Sequence, residues 1–300
     1  MALLLNKRRN QVCFLSFIFP SNSLFLKNFF SSLELQDYQD FDIVLINDGF
    51  NNIENFIPSK IKNRVYIFEG NGSIPKIRQI GINLVLELGY KYVVFGDSDD
   101  FFQANRISES LKGLSRTHVC FNDLSIFKDE KILDKYYWRK RLIGVGLLTK
   151  NWLFDKNCIG LGNSAVRSEV LLNIEIPENI IAVDWFLFSI ILQKFNAKFL
   201  KNTLTFYRQH TNNLVGGVNC IDEMLVLQAI EVKKNHYSNF TQIPDYILKN
   251  FETNISYLSS QTIFKHYLNE LNELDYNLFW WESTNFFNKI NQKNQKNEQN

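Results

Sequence analysis

The chain has no cysteine pair at metal-ligand spacing, few prolines, almost no methionine, no excess of charge and no long apolar run. Its four cysteines, Cys13, Cys120, Cys158 and Cys220, lie far apart in 300 residues and form no Cys-x-x-Cys. That spacing excludes a zinc module and a disulfide-stapled scaffold; buried free thiols in a reducing compartment are the expectation. Lysine and arginine number 33 against 31 aspartate and glutamate, a net charge of +2. Such a balance exerts no global pull on nucleic acid, so none is expected as a partner. The most apolar stretch, 180–192, contains Asp184 and falls short of the ~18–20 residues a membrane span requires. Near the start, Lys7, Arg8 and Arg9 follow a short apolar run at 2–5. A secretory signal has the reverse order. A cytoplasmic setting is expected, with peripheral contact at the inner face of a membrane compatible with it.

What the chain does contain is phenylalanine, 27 in all, within a general skew toward Phe, Asn, Ile and Lys. We read that skew as coding bias of an A/T-rich source. A hydrophobic fraction of 45% and a charged fraction of 21% are ordinary for a globular protein. The length suffices for one large or two ordinary domains.

Strand and helix signals alternate through the first half. Apolar runs at 12–19, 41–46, 64–68 and 92–95 have strand length, and each ends in turn residues. Between them, 24–35 and 75–88 carry apolar residues at helical spacing. Ser21, Asn22 and Ser23 stand ready to cap the first helix, and Gly89 to end the second. The alternation predicts right-handed crossovers and an α/β fold with a mostly parallel central sheet. The middle, 117–162, is harder to read, and its basic cluster Arg139-Lys140-Arg141 is taken as a solvated face. A buried helix is expected at 181–195, a strand at 197–207 and amphipathic helices at 221–232, 246–258 and 262–274. The polar end beyond 290 has nothing to bury.

In a parallel sheet the loops after the strands share one edge, and ligands of open α/β sheets bind there. Asp48 follows one strand, and Asp97, Asp99 and Asp100 follow another. Asp48-Gly49 suits a turn, and Asp97 or Asp99 could cap a helix. The crowding of three carboxylates is nevertheless costly without a cation. Hard oxygen ligands at a strand end suit Mg²⁺ or Mn²⁺, whose shell is completed by phosphate oxygens. Other nucleotide chemistries are disfavoured. The loop 20–23 lacks Gly-x-Gly-x-x-Gly, no Walker-type Gly-Lys-Ser/Thr loop exists, and no Gly-x-Ser-x-Gly elbow is present.

These residues resemble family 2 glycosyltransferases of the GT-A fold. The likeness is carried by the run from Gln36 to Asn47-Asp48-Gly49, by Asn71-Gly72 with Arg78 and Gly81, and by Gly96-Asp97-Ser98-Asp99-Asp100 with Asn105-Arg106. It resumes more weakly at 162–167, Asp184-Trp185 and Tyr207-Arg208-Gln209-His210. The resemblance implies a GT-A domain over 1–215, with a nucleotide-sugar-binding half at 11–113 and an acceptor half at 114–215. A helical extension over 216–289 and a tail at 290–300 would follow. It also implies a nucleotide-sugar donor, a UDP-sugar first among the candidates, held by Ser21, Asp48, Arg78 and Asp97. Mn²⁺ or Mg²⁺ would be ligated by Asp99 and approached by His210, and Asp184 would be the general base of an inverting transfer. The acceptor would be a glycan or lipid-linked molecule in cell-surface polysaccharide assembly. On its own sequence context Asp184 equally suits a helix N-cap, Arg78 a surface ion pair and His210 a solvated position. The chain departs from the family at Phe50, Asn52 and Val183. Those departures motivate a second reading, a catalytically inactive GT-A-like protein that binds nucleotide or serves in assembly. A nucleotidyltransferase on a similar sheet would need a glycine-rich basic loop after the first strand, and 20–25 has neither glycine nor a basic residue. The aromatic run Phe279-Trp280-Trp281-Glu282 suits either an anchor against the domain or an interfacial patch.

Overall fold

The computed structural model describes residues 10–128, 131–209, 221–273 and 279–284. Its centre is a mixed sheet of ten strands: β1 (Val12–Ile18), β2 (Phe41–Asn47), β3 (Val65–Glu69), β4 (Tyr92–Phe95), β5 (Phe101–Phe102), β6 (Val119–Lys128), β7 (Lys131–Lys135), β8 (Leu147–Leu148), β9 (Ser164–Arg167) and β10 (Ala197–Arg208). The main order is β3-β2-β1-β4-β9-β6-β10-β5, with β7 on β6 and β8 on β10. β3, β2, β1 and β4 are mutually parallel. β9 runs antiparallel between β4 and β6, and β6 pairs in parallel with β10. The parallel expectation therefore holds for the first half. The antiparallel strands come from the middle, where periodicity was least legible.

β1 and β2 are buried along their whole length, the pattern of parallel strands covered on two faces. Asp42 is tolerated inside β2 because Asn10 Nδ2 (2.7 Å) and Tyr90 OH (3.0 Å) donate to its carboxylate. Helix α1 (Leu26–Glu34) packs Phe29 and Phe30 against Phe14 and Phe102 on one face of the sheet. α2 (Ile74–Glu87) covers the other, with Pro75 in its first turn and Gly89 at φ +66° just past its end. α3 (Arg106–Leu114) follows β5. Its Arg106 is fully buried and bridges Ser110 Oγ and the Ser164 carbonyl (3.0 Å) on β9. A short α4 (Tyr137–Arg141) has its first-turn N–H groups of Trp138 and Arg139 bound by buried Asp123 (2.7 and 3.3 Å). α5 (Val183–Ile191) is shorter than the expected 181–195.

α6 (Glu223–Asn239), α7 (Asp245–Leu258) and α8 (Gln261–Asn272) share a small core of their own. Ala229, Val232 and Phe240 of the α6 region join the main core beneath the sheet. The segment 279–284 returns to the body, with Phe279, Trp280 and Trp281 buried. Glu282 fastens it, accepting from Arg141 Nε (3.0 Å), Tyr137 OH and the Phe279 N–H (2.9 Å). The solvated-face reading of 139–141 holds for Arg139 and Lys140, whose side chains stay exposed while pairing with Asp123 and Asp134; Arg141 turns inward to Glu282. Among the described residues no helix is long and apolar enough to cross a membrane. Cys13, Cys120 and Cys158 are free and buried, and Cys220 lies outside the described residues.

Candidate active site

The first wall of the site is the segment after β1. Pro20–Asn22 form a single 3₁₀ turn instead of a helix cap. Phe25, with no side-chain bond, holds the cap position of α1. Asn22 turns inward, and its Nδ2 donates to Ser98 Oγ (2.7 Å), which donates in turn to the Phe17 carbonyl (2.8 Å). The loop after β4 is thereby tied to the end of β1. From the far side, β10 braces the same loop. The Arg208 N–H donates to Asp100 (2.8 Å) and its Nε to the Asp99 carbonyl (2.9 Å). None of the aspartates caps a helix, since Asn105 precedes α3.

This bracing presents Asp97 and Asp99 to a cleft of about 380 Å³. Ser21, Arg78 and Asp184 line the same cleft. Arg78 reaches it from α2, its guanidinium 3.9 Å from the Phe17 ring centroid and 3.6 Å from Asp97. Asp184 comes from the first turn of α5. It is not the N-cap, a position held by Ala182. Its Oδ1 accepts from its neighbour's N–H at Trp185 (2.8 Å) and from Asn157 Nδ2 (3.2 Å). Asp48 is half-buried at the end of β2, its N–H bound to the Ile18 carbonyl (2.9 Å), and does not line the cleft. Gly49 beside it has φ +76°, so the turn reading of Asp48-Gly49 is correct as local structure. His210 lies outside the described residues.

Charge in the cleft is under tension. Burial pushes the Asp97 carboxyl up to about 6; Arg78 pulls against this, while Asp99 and Asp184 add to it. Burial and the Asp99 and Asp97 charges raise Asp100 well above the carboxylate range, and its Oδ2 has no hydrogen-bond partner. Burial raises Asp184 as well. The Arg78 guanidinium is lowered by burial, with Asp97, Asp184 and Asp99 opposing. Like charges gathered out of water are stable only with a cation or a shared proton. Among the described residues no three or more His, Cys, Asp and Glu side chains enclose an ion by themselves. The donor set fits a hard ion that takes one or two protein carboxylates and finds its remaining ligands on phosphate.

Several lining residues lay outside the strand-end motifs. Gly162, at the start of the weaker likeness over 162–167, lies under the carboxylates, and its N–H donates to Asp97. A second cavity of about 160 Å³ adjoins the cleft and shares Asp97, Asp184, Asn157, Tyr207 and Trp280 with it. Asn157 comes from a region with no motif, and Trp280 from the aromatic run near the end of the chain. Of the departures from the family pattern, Phe50 is a core residue that packs edge-on to Phe56, its backbone N–H held by Asn47 Oδ1 (2.9 Å). Val183 is buried but lines the cleft.

No protein-family model matches the sequence, and no curated protein matches it either. Solved structures do resemble the fold. TarS residues 1–349 from S. aureus, in complex with UDP-GlcNAc, align with a TM-score of 0.55 at 13% identity over 76% of this chain and 72% of that one. The mannosyltransferase PcManGT from Pyrobaculum calidifontis, with GDP-Man and Mn²⁺, gives 0.55 at 13% identity over 80% and 67%. GalNAc-T7 with UDP, GalNAc and Mn²⁺ gives 0.51 at 12% identity, over 69% of this chain and 45% of that one. The fold is thus that of GT-A glycosyltransferases, a curled mixed sheet flanked by helices.

Proposed function

We propose that the protein transfers a sugar from a nucleotide-diphosphate donor to an acceptor hydroxyl, with inversion at the anomeric carbon. The observation that carries this reading is the meeting of Arg78, Asp97, Asp99 and Asp184 in one cleft at the carboxyl edge of the parallel strands. Folds of this kind host many activities, so the site chemistry must carry the argument. Arg78 faces the diphosphate and offsets its charge. Asp97 contacts the ribose or the sugar. Asp99 would hold a divalent ion, Mn²⁺ or Mg²⁺, which when bound would supply positive charge against the leaving diphosphate. Ser21 borders the nucleoside end of the cleft, and Asp48 receives the base from the neighbouring strand. The solved neighbours contain UDP-GlcNAc, GDP-Man and UDP with Mn²⁺, which supports a nucleotide-sugar donor without choosing the base.

Asp184 is the general base. It takes the acceptor hydroxyl proton as that oxygen bonds to the anomeric carbon, while the bond from that carbon to the diphosphate oxygen breaks. Its raised pKa brings a carboxylate closer to neutrality, where a base is most effective. Asn157 and the Trp185 N–H hold one oxygen and so orient the other. A role in cell-surface glycan assembly from the cytoplasmic side, with a glycan or lipid-linked acceptor, belongs to the same proposal.

The test is a thermal-shift panel of UDP, GDP and their sugars, with and without Mn²⁺, on the native chain and Asp99→Ala. A nucleotide-diphosphate shift that needs Mn²⁺ and is lost in Asp99→Ala is expected. No shift from any nucleotide diphosphate would overturn the enzyme reading. A shift without turnover would favour the inactive nucleotide-binding alternative.

A further inference from the structure

The second cavity differs chemically from the cleft it adjoins. About 160 Å³ in volume, it is smaller than the ~300 Å³ at which pockets for whole drug-sized ligands begin. Its size suits one ring. Trp138, Trp280, Trp281 and Phe279 form much of its wall, and among the described residues no lysine, arginine or histidine lines it. The aromatic wall is rigid. Trp138 stacks parallel to both Trp281 (6.0 Å, 4°) and Phe279 (6.3 Å, 6°), and Trp280 meets Trp185 at 5.7 Å. Two polar groups of its lining residues have no partner among the described residues: the Trp138 indole N–H, a donor, and the Asn157 amide oxygen, an acceptor. Buried polar groups normally find partners, and a hydroxyl in the cavity would supply both.

Resting on the transferase reading above, we infer that this cavity is the acceptor subsite for an uncharged pyranose ring, walled on one side by the segment 279–284. The C–H face of a sugar carries slight positive charge and lies favourably on the negative face of an aromatic ring. A hydroxyl both donates and accepts, which is the pair of functions Trp138 and Asn157 leave open. A phosphate-bearing acceptor group would enter beside Asp97 and Asp184 with no cation lining the cavity to receive it. The acceptor hydroxyl therefore belongs to a neutral sugar residue, either a free glycoside or the end of a longer glycan whose charged parts stay outside. The reacting hydroxyl reaches Asp184 from this cavity, since Asp184 lines both spaces.

The experiment separates this inference from the reading it rests on. Donor turnover is followed with UDP-GlcNAc and GDP-mannose plus Mn²⁺, in the presence of methyl pyranosides or of glycerol phosphate and a short polyprenyl phosphate. Neutral pyranosides are expected to accelerate turnover and the phosphates not to. Trp138→Phe keeps the ring stack but removes the N–H, and should raise the acceptor KM at least tenfold. The Kd of nucleotide alone, read by calorimetry, should change less than twofold. Leu124→Phe, which adds bulk to the cavity from β6, should abolish acceptor stimulation without weakening nucleotide binding. Preference for a phosphate acceptor, or an unchanged acceptor KM in both variants, would overturn the subsite while leaving the transferase reading intact. Absence of nucleotide binding would overturn both.

Discussion

Gly160 and Gly162 stand two residues apart, yet only one tolerates a methyl group. A Cβ on Gly162 would lie 2.7 Å from Asp97 Oδ2 and 3.1 Å from Asp100 Oδ2, where ordinary contact starts near 3.4 Å. A carboxylate would have to retreat by about 0.7 Å in a region packed as densely as a crystal. Neither is free to do so. Asp97 has Arg78 on its other side and accepts from the Gly162 N–H itself, while Asp100 is fixed by the Arg208 N–H. The Gly162 carbonyl is held too, by Thr205 Oγ1 at 3.0 Å. Overpacking of this kind costs about 1–3 kcal/mol, a fall in Tm of roughly 2–5 °C for a chain of this size. Displacing a positioning group by nearly 1 Å costs up to ~10²-fold in rate, so kcat/KM for the donor should fall by about one to two orders of magnitude. Gly160→Ala is the control. Its Cβ would meet Asn163 Oδ1 and Asp184 Oδ2 at 3.5 Å each, ordinary contacts, and its φ of −89° suits alanine. Stability there should change by less than ~0.5 kcal/mol. Differential scanning calorimetry and initial rates at saturating acceptor decide the matter. Equal Tm and equal donor kcat/KM for the two variants would refute the claim that Gly162 is the floor under the carboxylates.

Asp184→Asn should lower kcat by ~10²–10⁴ and leave nucleotide affinity within twofold, checked by single-turnover kinetics and calorimetry; full activity would remove Asp184 from the base role. His236 is wholly buried on Trp185 (3.8 Å, 4°) with neither ring nitrogen bonded, and burial depresses its pKa to about 3. The unfolded chain takes a proton there below about 6.5 and the folded one does not. Its contribution to stability is therefore lost as pH falls from about 6.5 toward 3, with a slope of up to ~1.4 kcal/mol per pH unit. His236→Phe should flatten that slope in urea titrations at pH 4.5 and 7. Asp97 has the opposite sign, because its folded pKa, near 6, lies above the ordinary 3.8. The folded state holds that proton more tightly, so stability is lost as pH rises from about 4 to 6. Asp97→Asn should therefore gain stability relative to the native chain across that window, and an unchanged difference between pH 4 and 6.5 would refute it. Glu282→Ala takes the shared acceptor from the Tyr137 hydroxyl, the Phe279 N–H and Arg141 Nε, Arg141 keeping its contact to Asp134, at a cost of about 1–3 kcal/mol. Its Tm should fall, and acceptor stimulation should fall with it because Trp280 and Trp281 lose their anchor.

The first half of the fold was legible because its signals are local. Buried parallel strands read as unbroken apolar runs, and Gly89 and Pro75 punctuate α2 as their backbone preferences require. The edge placement of Asp97 and Asp99 followed from topology alone. Asp48 reached the right edge by the same logic but stands one strand aside from the cleft. What stayed hidden depends on distant partners. Ser21 to Ser23 looked like a cap, yet Asn22 is drawn inward by Ser98, 76 residues on, which no local propensity encodes. Arg139 and Lys140 read correctly as solvated, and the inward turn of Arg141 stayed hidden because its partner, Glu282, lies 141 residues away. Asn157 and Trp138 belong to the region between β6 and β9, where antiparallel pairing and short helices erase periodicity. The aromatic segment 279–284 was visible as composition, but its place beside Asp184 was not.

The cleft carboxylates differ from the other buried ones. Asp42 inside β2 receives Asn10 and Tyr90. Glu282 receives a tyrosine, an arginine and a backbone N–H. Asp123 receives three backbone N–H groups on Oδ1, and its Oδ2, without a hydrogen bond, lies 3.6 Å from Arg139 Nε. Each of these stands apart from other carboxylates and has donors or a cation beside it. At the strand edge the fold does the reverse. Asp97, Asp99 and Asp100 are set side by side, Asp100 Oδ2 has no partner, and burial raises Asp97 and Asp100 out of the usual carboxylate range. The same chain that satisfies a lone buried aspartate elsewhere leaves this group crowded, so the crowding is not a failure of packing. Sequences break local rules chiefly where function requires it, and the chemistry that relieves this violation is a divalent cation carrying phosphate. A net charge of +2 conceals that demand, because it is local to a single loop of four residues.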